Sequence, residues 1–214
     1  MKKKIIIPIG IVALFLVIGF IIFDNNKIVS TITLDINPSI EINLTRNEKV
    51  KSVVALNEDA KEIVNGNLKG KSIDDTLKQI TDNLIEKGYV AEENFLEIIL
   101  YSEGDISNKE LETKLKETLE KKKIDSNITT IKKVSKEDEE LAKKYDVSPA
   151  KISYIKSIIK DNENINIEDL SNKSVSELNE TKATGKYCDK GYTLEGDWCL
   201  KEKERVSAIR GEVC

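Results

Sequence analysis

Ser30-Thr31-Ile32-Thr33-Leu34-Asp35-Ile36-Asn37-Pro38-Ser39-Ile40-Glu41 is the stretch that decides the fold. Ile28, Ile32, Leu34 and Ile36 alternate with polar residues, and Ile40, Ile42 and Leu44 repeat the period of two beyond Pro38. This alternation predicts two strands with one face buried and the other wet. Pro38 has no N–H to give to a sheet ladder, so it predicts a bulge, or an edge where the chain changes strands. Thr45-Arg46-Asn47-Glu48 reads as a turn, and Val50 with Val53 to Leu56 supplies a third strand.

Further along the chain, a short helix is expected over 58–65, stopped by Gly66. A better-marked one follows Ser72, an N-cap with Asp75 three residues on, and carries the apolar stripe Ile73, Leu77, Ile80, Leu84 and Ile85 as far as Gly88. Strands are expected over 95–101 and 127–134, and helices over 107–123, 137–145 and 149–160, the last with Pro149 in its first turn. Residues 167–170 and 175–178 read as brief closing turns, and 181–186 as a linker. The order predicts an α+β domain over 28–181, a mixed sheet covered by helices. A small Cys-containing module, 187–214, follows. Cys188 and Cys199 are placed to close a loop there, with Tyr192 and Trp198 as its small core; Cys214 is left over.

The other end bears on location. Met1-Lys2-Lys3-Lys4 precedes an uncharged apolar run, 5–23, about 28 Å long as a helix against roughly 30 Å of hydrocarbon. A cleaved signal peptide is the competing reading, but the run ends Phe20-Ile21-Ile22-Phe23-Asp24-Asn25, with no small-residue cleavage site. A single transmembrane helix is therefore expected. The lysines keep residues 1–4 cytoplasmic and the bulk of the chain extracytoplasmic. Disulfides can form in that compartment.

Composition narrows the chemistry. There is no histidine among 214 residues, so no Ser-His-Asp or Cys-His arrangement and no His-ligated zinc or haem can be built. Three Cys leave a Cys-only zinc site one ligand short. Neither a metal nor a cofactor is expected. A formal net charge of −4, with Arg only at 46, 205 and 210, gives no footprint for nucleic acid. Gly66-Asn67-Leu68-Lys69-Gly70-Lys71-Ser72 has three residues between its glycines where a phosphate loop needs four, and a helix precedes it. Glu137-Asp138-Glu139-Glu140 reads as a solvated acidic first turn, and Asp161-Asn162-Glu163-Asn164 as a polar loop.

Asn37-Pro38 carries the one sharp chemical possibility. The Asn37 side-chain nitrogen can attack its own carbonyl carbon, forming a cyclic imide and releasing Pro38 as a secondary amine. A fold that holds the side chain in attack geometry, or strains the peptide, accelerates this slow reaction.

The Ser30–Glu41 stretch is followed by Ala55-Leu56-Asn57-Glu58-Asp59-Ala60-Lys61, then Leu68-Lys69-Gly70-Lys71-Ser72, and later Val147-Ser148-Pro149-Ala150-Lys151. Together these blocks resemble the extracytoplasmic middle domain of RsgI-like anti-sigma factors, over about residues 28–181. The resemblance implies a domain just outside a single span that cleaves itself between Asn37 and Pro38, its pieces staying joined through the sheet. Asp35 and Ser39 are neighbours within the motif without an assigned role. Members of that family carry a cytoplasmic sigma-binding domain before the span, where this sequence has only residues 1–4, so an output would need a partner membrane protein, or the switch is vestigial. Their variable C-terminal sensors often bind wall polysaccharide, a place held here by the short Cys segment, and separation of the pieces is the expected switch, exposing the membrane stub to an intramembrane protease. The alternative is a non-enzymatic surface module in which Asn37-Pro38 is inert. Either way the only catalysis expected is intramolecular.

Overall fold

The computed structural model describes residues 27–90, 95–162, 165–189, 192–195, 198–201, 204–207 and 209–210. The apolar run 5–23 and Cys214 lie outside them. No helix among the described residues is long and apolar enough to cross a membrane.

Strands β1 (Ile28–Asp35), β2 (Ser39–Thr45), β3 (Val50–Ala55), β4 (Phe95–Gly104) and β5 (Asp125–Thr130) form one sheet in the order β3-β2-β1-β4-β5. β4 and β5 are parallel and the other neighbours antiparallel, which makes the sheet mixed. The helices are α1 (Ala60–Ile63), α2 (Ile73–Glu86), α3 (Asn108–Lys121), α4 (Lys136–Tyr145), α5 (Pro149–Ile159), α6 (Ile167–Ser171) and α7 (Val175–Thr184). Serine side chains cap five of them. Ser72, Ser107, Ser135, Ser148 and Ser174 each accept from the backbone N–H three residues on. Each such cap is worth about 1 kcal/mol.

The sheet is covered on both faces. Ile32 and Leu34 of β1, Ile40, Ile42 and Leu44 of β2, and Ile98 and Leu100 of β4 pack with Leu77, Ile80 and Leu84 of α2 and with Leu111 and Leu115 of α3. On the opposite face Ile99 packs with Tyr154, Ile155 and Ile158 of α5, Leu170 of α6 and Leu178 of α7. The face of β1 and β2 expected to be wet is therefore a second interior. Its polar residues Thr33, Asp35, Ser39 and Asn43 are buried. Asn43 is held within that face, where Thr31 Oγ1 donates to its Oδ1 at 2.9 Å and its Nδ2 donates to Glu41 Oε1 at 2.8 Å.

Several boundaries move for local reasons. The helix expected over 58–65 contracts to α1. β4 runs on to Gly104. β5 ends at Thr130 because the Ile131 carbonyl is taken by the Asn108 side chain at 2.9 Å. The brief turn expected over 175–178 is the start of α7, which continues through most of the presumed linker. A capping box of Ser174 and Glu177 starts it, and Gly185, at φ +67°, ends it. The acidic turn at 137–140 is not wholly solvated: Asp138 is buried, closes a capping box with Ser135 and meets Lys156 at 3.0 Å.

Beyond α7 lie β6 (Lys186–Tyr187), β7 (Thr193–Glu195), β8 (Trp198–Lys201), β9 (Glu204–Ser207) and β10 (Ile209–Arg210). β7, β8 and β9 form an antiparallel sheet, and β10 pairs with β6. Cys188 and Cys199 are joined by a disulfide, their Cα atoms 5.6 Å apart. Trp198, expected in the small core, is exposed, whereas Tyr187 is buried against the α5–α7 face.

Candidate functional site

Asn37 and Pro38 sit at the tip of the β1–β2 hairpin. Asp35 and Ser39 close the ladder, leaving Ile36, Asn37 and Pro38 as a three-residue loop. The bulge or edge expected here is thus a tight turn between two strands, one of which, β1, is the middle strand of the sheet. The Ile36 N–H donates to the Pro38 carbonyl at 2.9 Å across the loop. Asn37 takes φ +63°, the left-handed conformation that three-residue hairpins use and that asparagine tolerates better than most side chains. Its side chain is exposed, while Ile36 and Pro38 are buried. Burial suits Pro38, which has no N–H to leave unsatisfied.

Both ends of the loop are gripped by distant segments. On the β2 side, the Ser39 N–H donates to Asn57 Oδ1 at 3.1 Å, and the same oxygen accepts the Ala60 N–H that opens α1, also at 3.1 Å. The Ser39 carbonyl accepts from the Leu56 N–H at 2.9 Å. On the β1 side, Asp35 Oδ2 accepts a hydrogen bond from Ser148 Oγ, the N-cap of α5. Ser148 Oγ in turn accepts from the Lys151 N–H at 2.9 Å.

Asp35 is fully buried, and its Oδ1 has no hydrogen-bond partner among the described residues. Burial pushes its carboxyl above the ordinary aspartate value. The Ser148 and Ser39 hydroxyls and the Lys151 charge work against that push. Lys151, also buried, is driven below the ordinary lysine value by its removal from water, against the pull of Asp35 and Glu177.

The sequence pointed to Asn37 and Pro38, and it left Asp35 and Ser39 without roles. Asn57, Ser148 and Lys151 belong to blocks that carried only a resemblance. Those blocks, ALNEDAK and VSPAK, converge on this one loop from about 20 and about 110 residues away. Nothing in local spacing announces such contacts. The Cys188–Cys199 disulfide belongs to the C-terminal hairpin, against α7 and β6. Among the described residues no group of three or more Asp, Glu or Cys side chains is placed to hold a metal ion.

These features define an α+β domain with both sheet faces covered, whose central hairpin presents a left-handed Asn before a buried Pro. The model of the anti-sigma factor RsgI-like central domain matches residues 29–157, and the chain belongs to that family. The chain is 26% identical over 169 residues to anti-sigma-I factor RsgI7 of Acetivibrio thermocellus, covering 77% of this chain and 31% of that protein. Identity to anti-sigma-I factor RsgI of Bacillus subtilis is 32% over 157 residues, covering 68% of this chain and 39% of that protein. To RsgI6 of Acetivibrio thermocellus it is 26% over 166 residues, 71% of this chain and 22% of that protein. The chain thus spans well under half the length of these relatives.

Proposed function

We propose that this chain is a membrane-anchored, extracytoplasmic signalling domain of the anti-sigma factor type that cleaves itself between Asn37 and Pro38. The observation that carries the reading is the left-handed Asn37 at φ +63°, one bond before a buried Pro, in a loop held at both ends. A left-handed non-glycine residue costs about 1–2 kcal/mol. The gripped strands keep the chain from relaxing that cost by unwinding the turn.

In the cleavage, Asn37 Nδ2 attacks the Asn37 carbonyl carbon, and a new C–N bond closes a five-membered imide. The Asn37–Pro38 C–N bond breaks, its electron pair stays on the Pro38 nitrogen, and a proton lost from Nδ2 ends there. Water later opens the imide. Residues 1–37 then keep the span and β1, and β1 stays seated between β2 and β4. Leaving of β1 is the signal, and an intramembrane protease acting on the freed stub is its reader. The run 5–23 serves as the anchor, and the C-terminal hairpin faces wall polysaccharide or a partner membrane protein.

The test is intact mass and a denaturing gel on the full chain beside Asn37→Ala. Two species, ending at Asn37 and beginning at Pro38 and absent in the variant, are expected. Before imide opening their masses sum to that of the uncut chain; afterwards the sum exceeds it by one water. A single uncut wild-type chain would leave the alternative, a surface module with an inert hairpin turn.

A further inference from the structure

β2 pairs with β3 only as far back as Ile40 opposite Ala55. The next residues in register are Ser39 and Leu56, but the chain leaves the sheet after Ala55 and enters α1 at Ala60. Ser39 is nonetheless paired on that side. The Leu56 N–H donates to the Ser39 carbonyl at 2.9 Å, as a ladder residue would. A ladder residue also returns its own carbonyl to the opposite N–H. Here the Ser39 N–H donates instead to Asn57 Oδ1 at 3.1 Å, so a side-chain oxygen stands in for the missing backbone acceptor.

That oxygen is itself anchored. It accepts the Ala60 N–H at 3.1 Å, and Asp59, the N-cap residue of α1, offers no side-chain cap of its own. Ala60 and Ile63 are fully buried in the core beneath the sheet. The core thus fixes α1, α1 fixes Asn57, and Asn57 fixes the start of β2. Ser39 is buried, and a buried N–H that loses its acceptor bears its full desolvation cost.

We propose that Asn57 is a positioning residue for scission of the Asn37–Pro38 bond, acting on the leaving-group side. The inference rests on self-cleavage at this bond. The Pro38 nitrogen is the leaving group, and it has no N–H through which it could be held. Two bonds place it: the Pro38 carbonyl accepts from the Ile36 N–H at 2.9 Å, and the next peptide is held by Asn57. With both in place, Asn37 Nδ2 attacks a carbonyl carbon whose other substituent stands still. Without the Asn57 oxygen, the Ser39 peptide turns outward to find another acceptor, and the tip can give up φ +63° at Asn37. Reacting groups misplaced by about 1 Å lose up to about a hundredfold in rate.

The experiment follows scission of the full chain in detergent from cell-free synthesis onward, with Asn57→Asp and Asn57→Leu alongside. Both replacements keep the size and the branching of asparagine, but only aspartate keeps an oxygen for the Ser39 and Ala60 N–H groups. Asn57→Leu is expected to cut about tenfold or more slowly. Asn57→Asp is expected to stay within about threefold of wild type, since a charged acceptor bonds at least as well as a neutral one. Equal slowing in the two variants, or an Asn57→Leu chain that cuts at the wild-type rate, overturns the proposal. Should Asn57→Leu not fold, Asn57→Ala takes its place with the same expectations. Amide hydrogen exchange is read in the full-length Asn37→Ala chain with each replacement added. The Ser39 N–H should exchange about tenfold faster with Asn57→Leu and hold its rate with Asn57→Asp, while α2 is unchanged in both. A Ser39 N–H indifferent to Asn57→Leu refutes the hold on the tip. A wild-type chain that never cuts removes the self-cleavage reading, and with it any role for Asn57 in scission. The Ser39 exchange then still separates that failure from a failure of the hold.

Discussion

Gly104→Ala should loosen the strand that scission would free, by an amount that can be worked from the geometry. Gly104 ends β4 opposite Ser30 of β1, at φ +111°. A Cβ there would stand 2.0 Å from the Val29 carbonyl oxygen, 2.7 Å from Ser30 Cα and 2.8 Å from Ser30 Oγ. Two of these are β1 backbone atoms, which cannot swing aside as a side chain does, so the two strands must part by about 1 Å or more to reach ordinary contact. Parting strains two further bonds, because Ser30 Oγ accepts the Asp105 N–H at 2.8 Å and the Ile106 N–H at 3.3 Å. About 1–3 kcal/mol of backbone strain and about 1 kcal/mol for each of the two weakened bonds give a loss of about 3–5 kcal/mol, about a hundredfold to a few thousandfold in equilibrium constant. Gly70→Ala is the control. Its φ is +83°, and a Cβ there meets nothing within 4 Å, so it bears strain alone. The assay is urea unfolding in detergent of the full chain carrying Asn37→Ala, so that every molecule is uncut. If the two glycine variants lose the same stability, close packing of β1 against β4 does not hold the strand, and the reasoning fails.

Three further outcomes are expected. Reducing the Cys188–Cys199 disulfide opens a loop of sequence separation 11, worth about 3 kcal/mol by loop-closure entropy; hydrogen exchange should quicken over 186–201 and stay unchanged in α2. Asp138 sits below the ordinary aspartate value because its Ser135 and Lys156 bonds outweigh the upward push of burial. Its stabilisation is therefore present above pH 3.8 and lost as pH falls through the lowered native value, so acid unfolding curves of wild type and Asp138→Asn should converge at the acid end. Burial and the neighbouring Asp169 push the Tyr187 hydroxyl up to about 12. Its contribution is complete below pH 10.0 and lost as pH rises through about 12, so ultraviolet titration should show a late-ionising tyrosine that Tyr187→Phe removes.

Much of the fold was legible because its signals are local. Ser72 with Asp75 three residues on marks the start of α2, whose apolar stripe needs no tertiary knowledge. α7 was read short because only Val175, Leu178 and Thr181 are buried along it, too thin a stripe to carry a period. The second interior was invisible for a different reason. Thr33, Asp35, Ser39 and Asn43 are polar types that ordinarily face water, yet all four are buried, and the helix that meets β1 arrives only from residue 149 onward. The site divides in the same way. Asn37-Pro38 is a dipeptide with its own chemistry and could be found alone, whereas the grip of Ser148 on Asp35 spans 113 positions and exists only once the chain has folded.

The place of β1 in the sheet bears on reversibility. Neighbouring strands lie about 4.8 Å apart, so removing the middle one opens a slot of roughly 10 Å between β2 and β4, with two raw edges facing each other. Such edges are templates for any passing strand, and the two hydrophobic layers beneath lose the floor that separates them. A molecule that has let go of this strand is poorly placed to wait for its return. If the proposed scission frees this strand, it would act as a fuse, spent in a single firing, and renewed sensitivity would then depend on fresh synthesis of the chain.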